Sequence, residues 1–268
     1  MIEHNITEET YFSPENSKRY MGVSQFKEFL SCEAKALDKL NNPDKYAAEE
    51  NSTSLLVGSY VDAHFSGTLP QFKATHPQIF LKSGGLKSDY IKAEECINRM
   101  ESDPLMMKYL DGEKQVIMVG TVFGVEWKIK IDVYHKGKCI VDMKCMKDTE
   151  DIWDDETKSK VPFITKWGYD LQAYIYQEVV RQNVGLRLPF ILAVVTKEVA
   201  PQIKLIHIND NAIDAAGKFM AKHIDRVVGV KNGTIPPERC EHCNYCYNTK
   251  VLTPDDIEEF DYERIVEE

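Results

Sequence analysis

Asp132, Asp142 and Lys144 stand close together in the run VEWKIKIDVYHKGKCIVDMKCMKD and combine two carboxylates with one ammonium. A metal-dependent phosphodiester hydrolase needs such a set. Magnesium favours oxygen ligands and keeps several waters, one of which it can polarise into a nucleophile while offsetting charge on a phosphate. Lys144 would orient or deprotonate that water, or stabilise the charged transition state. An Asp-x-Lys tripeptide alone is weakly specific, so the elements that carry these residues decide what they mean.

From Val125 to Val133 the chain alternates, with Val125, Trp127, Ile129, Ile131 and Val133 on one face and Glu126, Lys128, Lys130, Asp132 and Tyr134 on the other. This predicts a half-buried strand. Cys139 to Cys145 alternates again, with Asp142 and Lys144 on one face and Val141 and Met143 on the other. The two strands read as a hairpin. Its register matters, because a slip of one residue sends every side chain to the opposite face. Pairing His135 with Cys139 around a Lys136-Gly137-Lys138 loop sets Asp132 opposite Asp142, with Gly137 relieving the turn. A two-residue loop would set Asp132 opposite Val141 and split the pair. Facing carboxylates repel unless a divalent ion lies between them.

Two helical segments add to this set. Trp167 to Tyr176 begins a helix on which Gln172 and Tyr176 share a face, and Leu55 to Phe65 is a second, with Gly58 and Asp62 at the same i,i+4 spacing. A glycine-containing helix, an Asp, an Asp-x-Lys ten to twelve residues on, and a helical Gln-x-x-x-Tyr in that order resemble the PD-(D/E)XK nuclease superfamily. More narrowly they resemble its branch containing λ exonuclease, the C-terminal nuclease of exonuclease VIII (RecE), and the RecB and AddB nuclease domains. The likeness runs from about Ser24 to Lys250. It implies an α/β fold with a mixed central sheet flanked by helices. It also implies Asp132 and Asp142 as ligands of magnesium or manganese, Lys144 as the catalytic lysine, and Gln172 and Tyr176 near the DNA. The branch often has a histidine four residues after the helix glycine. Here Asp62 stands at that place and His64 two residues on, pointing nearly the opposite way round the helix. Asp62 is therefore the expected additional ligand of metal or water. Glu126 shares a face with Asp132 but lies six residues along the strand, roughly 20 Å away, and reads as structural.

The seven cysteines and the absence of an apolar signal segment at Met1 to Asn5 predict a reducing cytoplasm rather than a disulfide framework. Cys240, Cys243 and Cys246 form a C-x2-C-x2-C run, whose spacing lets a short loop wrap three thiolates round a metal centre, as in ferredoxin-type iron–sulfur sites. The resemblance to AddB-type nucleases implies a fourth ligand from an early helix, and Cys32 sits at the matching place. That set implies a [4Fe–4S] cluster. Zinc is the alternative, held by the same three cysteines with His242 or Cys32. Cys96, Cys139 and Cys145 read as apolar residues.

The length of 268 residues and 43% hydrophobic content suit one globular domain, and no apolar run approaches the roughly 18 residues of a membrane span. The boundaries read as a polar segment over 1–20, a nuclease domain with its cysteine cluster over 21–250, and an acidic tail over 251–268. A net charge of −10 opposes simple binding to nucleic acid. The acid is concentrated in the tail and around the proposed metal site, while lysines 82, 87, 128, 130, 144, 147, 158, 160 and 166 could line a DNA channel. Expected elements are helices near 54–66, 86–103 and 211–231, strands near 115–122, 190–196 and 203–208, and a mobile loop from Lys147 to Lys160.

Together with the resemblance, these features imply a magnesium-dependent exonuclease degrading duplex DNA from ends. Its expected partners are a single-strand annealing recombinase of phage type and further copies of itself. The alternatives are a CRISPR- or helicase-associated nuclease of the same fold, or a non-catalytic iron–sulfur protein that binds DNA ends.

Overall fold

The structure, a computed structural model, describes residues 2–155 and 157–260. Helices α1 (Pro14–Arg19), α2 (Val23–Ser31), α3 (Glu33–Asn41), α4 (Ala47–Glu50), α5 (Thr53–Phe65), α6 (Leu69–Thr75), α7 (Ser88–Glu101) and α8 (Pro104–Leu110) come first. Strands β1 (Glu113–Val122), β2 (Val125–His135) and β3 (Cys139–Met146) follow, and then the short pair β4 (Ile152–Asp154) and β5 (Ser159–Val161). Helices α9 (Phe163–Lys166) and α10 (Tyr169–Val184) lead to β6 (Phe190–Thr196) and β7 (Ile203–Ile208). The long α11 (Asp210–Lys231) and the short α12 (Asn244–Asn248) complete the order.

The main sheet has the order β1-β2-β3-β6-β7, with β3 and β6 parallel and the other neighbours antiparallel. A parallel pair needs a long crossover, and α10 supplies it. Strand β6, apolar up to its last residue Thr196, is buried along its whole length, as a strand covered on both faces should be. One core lies between the sheet and α2, α10 and α11, around Phe26, Trp127, Ile129, Ile175 and Phe190. A second lies under α5, α7 and α8, around Tyr60, Ile97, Val141 and Val195. The expected α/β architecture, a mixed sheet with helices on both sides, is the one present. No helix among the described residues is long and apolar enough to cross a membrane.

Two expectations change. The segment from Lys147 to Lys160 contains an antiparallel hairpin, Ile152 pairing with Val161 and Asp154 with Ser159. It is pinned by Asp154, whose carboxylate accepts from Thr157 and from Lys166 at 2.5 Å. The Lys166 ammonium and the Thr157 donors hold that carboxyl down to about 2. Strands of three residues are too short for alternation to reveal. The 1–20 segment, set apart on its polarity, contributes buried Ile6, Tyr11 and Tyr20 to a small core with Val119. Beyond it, Met21 pairs with Trp127 of β2, accepting from Lys128 N at 3.0 Å and donating to Glu126 O at 2.8 Å. Of the acidic tail, residues 261–268 lie outside those described, while Lys250 pairs with Asp256 at 2.8 Å.

Candidate active site

The β2–β3 turn brings the carboxylates together. His135 pairs with Cys139, Tyr134 with Ile140 and Val133 with Val141, so the loop is Lys136-Gly137-Lys138 and the register is the one that aligns Asp132 with Asp142. Gly137 takes the left-handed φ of 69° that this turn requires. The paired ladder runs no further than Val133 and Val141. At the next position the Asp132 side chain takes over a ladder bond, its Oδ2 accepting from Met143 N at 2.8 Å. Met21 then occupies part of the β2 edge, at Trp127. The strands thus part at the carboxylates, and the fork leaves a cavity between them and α5.

The alternation of β2 also breaks there. Ile129 and Ile131 belong to the core under α10, whereas Val133 joins the core under α5 and Tyr134 returns to the first. Opposite Asp132 in β1, Gln115 has a left-handed backbone with φ 54°, an uncommon conformation for a residue other than glycine. Its amide reaches across to Asp62 of α5, donating to Oδ1 at 3.0 Å and Oδ2 at 3.3 Å. Gln115 is the site residue that sequence reading missed, because only its backbone conformation and its place opposite Asp132 single it out.

Asp142 is the most enclosed of the three carboxylates, at 2% exposure. Its Oδ1 accepts from Gln172 Nε2 at 2.6 Å, and its Oδ2 meets the Lys144 ammonium in an ion pair. That same Oδ2 is buried without a properly aligned hydrogen bond. Burial and the nearby Asp142 push the Asp132 carboxyl well above its ordinary range, against the pull of Lys144. Asp62 is also raised, by burial first, with Lys130 and Gln115 opposing. Burial disfavours the charge on Lys144, but Asp142 and Asp132 outweigh it and hold the ammonium above its usual value.

Asp62, Asp132 and Lys144 line a cavity of about 350 Å³ together with Gly58, Met143 and Cys145. With no side chain, Gly58 keeps the wall one turn above Asp62 open. Crowded carboxylates, two of them raised, fit a hard divalent cation, which favours oxygen ligands.

The other residues weighed in the sequence sort by their contacts. His64 bonds Glu101 of α7 at 2.8 Å and takes no part in the carboxylate set. Glu126 pairs with Arg19 at the surface at 3.1 Å. Gln172 faces Asp142 rather than solvent. Tyr176, 7% exposed, donates its hydroxyl to Lys130 O at 3.0 Å. Both residues of the Gln-x-x-x-Tyr element, expected near the DNA, thus bond to β2 and β3 at the site. We predict that Gln172→Leu lowers activity 10- to 100-fold by freeing Asp142. Tyr176→Phe should instead cost about 1 kcal/mol of stability with little change in DNA affinity. Denaturant titration and DNA binding by anisotropy separate the two effects.

The lysines also sort by structure. Lys128 is 5% exposed and donates to Tyr11 O and Ser17 Oγ, so it turns away from any DNA channel. Lys158 and Lys166 pair with Asp155 and Asp154. Lys130 stays beside Asp62, over the rings of Tyr11 and Phe12.

The cysteines form a second centre. Cys32, Cys240, Cys243 and Cys246 place their sulfurs all within 4.8 Å of one another, the one set of potential metal ligands so closely gathered among the described residues. Cys32 lies at the junction of α2 and α3, and its Sγ is 3.6 Å from that of Cys246. A left-handed φ of 57° at Glu241 bends the loop between Cys240 and Cys243. His242 is exposed and bonds Cys240 O at 2.6 Å, so Cys32 rather than His242 completes the set. Burial opposes ionisation of Cys240, but backbone hydrogen bonds from His242 and Cys243 and the neighbouring thiols bring it down to about 6. Burial and hydrogen bonding to the same thiols push Cys246 up to about 12. Four thiols so placed fit a zinc ion or an iron–sulfur cluster.

Residues 22–249 match a family model described as a PDDEXK-like domain of unknown function, DUF3799. The crystal structure of a "putative exonuclease" from Eubacterium rectale is similar, with 43% identity over 94% of this chain and 96% of that one and a TM-score of 0.87. No curated protein matches. The match spans the β2–β3 fork, the α5 and α10 residues beside it and all four clustered cysteines, and the chain belongs to the PDDEXK-like DUF3799 family.

Proposed function

We propose that this protein is a divalent-metal-dependent exodeoxyribonuclease that degrades linear duplex DNA from its ends. The observation that carries this reading is the convergence of Asp62, Asp132 and Lys144 on one cavity at the strand fork, with the buried Asp142 paired to Lys144 behind its wall, in a chain 43% identical to a "putative exonuclease". Asp62, Asp132 and Asp142 would hold magnesium or manganese, which supplies charge neutralisation and activation of water at a phosphodiester. Lys144, already charged and half-buried at the cavity wall, offsets negative charge as it grows on the phosphate. Gln172 fixes Asp142, Gln115 fixes Asp62 and the Met143 amide fixes Asp132, so the carboxylates meet a ligand with little left to reorganise.

The four cysteines support kinship with the iron–sulfur members of the superfamily, and a [4Fe–4S] cluster is the centre proposed for them. An annealing recombinase as partner and a homo-oligomer encircling DNA belong to the same proposal by analogy with the λ exonuclease and exonuclease VIII branch. Anaerobically purified protein should consume end-labelled linear duplex in magnesium and spare closed-circular DNA, with no loss of either in EDTA. Cutting of the circle would overturn the exonuclease reading in favour of an endonuclease. Binding to ends without cleavage would favour the scaffold alternative.

A further inference from the structure

Helix α2 starts where Met21 leaves the edge of β2, and it carries a lysine toward the strand fork. Lys27 Nζ donates to Trp167 O at 2.9 Å and lies 5.7 Å from the centroid of the Tyr169 ring. Lys144 Nζ lies 5.3 Å from the same centroid. The two ammonium groups, each close to the same phenol ring, are therefore no more than about 11 Å apart. The stem of Lys27 crosses Gly168 so closely that a Cβ there would sit 2.8 Å from Lys27 Cδ. Gly168 leaves room for this approach and takes the left-handed φ of 62° before α10.

No carboxylate among the described residues lies within ion-pair distance of Lys27, although Asp142, Asp170 and Glu28 act on it from farther off. Burial, and then the charge of Lys144, bring the ammonium down to about 8. A cation held in partial burial beside a second cation is poorly placed unless an anion joins it. Lys144 is already engaged by Asp142, whereas Lys27 has spent one of its three donors, on a neutral carbonyl.

We infer that Lys27 is a phosphate-binding residue of the nuclease site, contacting a DNA backbone phosphate next to the one cleaved, on the Tyr169 side of Lys144. This rests on the nuclease reading above. Lys27 recognises the charge of the phosphate and carries no sequence preference. It also ties the first helix of the α2–α3 pair to the substrate, so the segment that ends in Cys32 acts at both centres.

The test measures affinity for a fluorescent 30-base-pair duplex in EDTA across a range of salt, with steady-state cleavage in magnesium alongside. Lys27→Gln should weaken binding about tenfold at low salt and reduce the slope of log affinity against log salt by about 0.9, the loss of one phosphate contact. It should raise KM about tenfold with kcat changed less than about threefold. Lys27→Arg should recover most of both losses. If Lys27→Gln is poorly folded by circular dichroism, Lys27→Met keeps the stem over Gly168 and gives the same readout. An unchanged salt slope, or an arginine variant as impaired as the glutamine variant, would overturn the assignment and leave Lys27 as a brace for the Trp167 turn. Wild-type protein that neither binds nor cuts DNA would instead overturn the nuclease reading itself.

Discussion

Asp142→Asn is expected to lower magnesium-dependent cleavage of linear DNA by on the order of a thousandfold. The change removes the charge, and with it the ion-pair partner of Lys144, but keeps the shape of the side chain and an oxygen that can accept from Gln172. Asp142→Ala strips Lys144 of its carboxylate in the same way and also deletes the acceptor for Gln172 and the side-chain volume, a larger loss of stability. Asparagine is therefore the cleaner probe. Asp132→Asn should abolish cleavage too, with a different signature in stability. Asp132 is crowded by burial and by the Asp142 charge, so neutralising it should raise Tm by a few degrees in EDTA, at roughly 2–4 °C per kcal/mol for a chain of this size. Sites that gather like charge for function sacrifice stability for it. Calorimetry in EDTA with single-turnover cleavage in magnesium checks both. Full activity in Asp142→Asn would remove Asp142 from the chemistry.

Cys246→Ser is expected to lower Tm by roughly 10 °C and to abolish binding of the metal centre proposed for the four cysteines. Cys246 is fully buried, and its sulfur meets that of Cys32 across 214 positions of sequence. A centre held by these four thiols closes the chain between its first helices and its last, and metal affinity becomes folding stability because the unfolded chain has no such site. A loss of about 4 kcal/mol, at roughly 2–4 °C per kcal/mol, gives the stated shift. The local hydrogen bonds are consistent with a staple: Ala34 N donates to Glu238 O at 3.0 Å, and Glu33 takes both Glu238 N and Arg226. Cys139→Ser, remote from the cluster, should keep the metal. Iron and acid-labile sulfide at four each per chain would establish [4Fe–4S], and one zinc would establish the alternative. Metal-free protein with unchanged Tm would show that the thiols stand without a centre.

Much of the two candidate sites was legible in the sequence as local pattern, strand and helix periodicity for the carboxylate set and cysteine spacing for the thiols. Alternation along β2 and β3 placed Asp142 with Lys144, and a three-residue loop with Gly137 at its turn was enough to align Asp132 with Asp142. The 3.6-residue period put Gln172 over Tyr176 and set Asp62 and His64 on different sides of α5. The cysteine spacing announced a metal loop, but Cys32 came from family resemblance, since no local rule links a helix end to a loop more than two hundred residues later.

Tertiary structure decided the rest. Only packing could show that β2 and β3 separate beyond Val133 and Val141, because alternation describes which face a side chain takes and says nothing about where a ladder stops. Only the fork could bring α2, and with it Lys27, beside Lys144. The left-handed Gln115 reaches Asp62 by a backbone conformation that its residue type does not announce. Lys128 sits on the polar face of its strand yet is buried, since residues 2–22 cover that face. Gln172 and Tyr176 turn inward for a similar reason, their polar atoms finding Asp142 and a β2 carbonyl that lie far from them in sequence. Sequence patterns fix what each segment is, whereas burial and long-range hydrogen bonds fix what each polar side chain must satisfy.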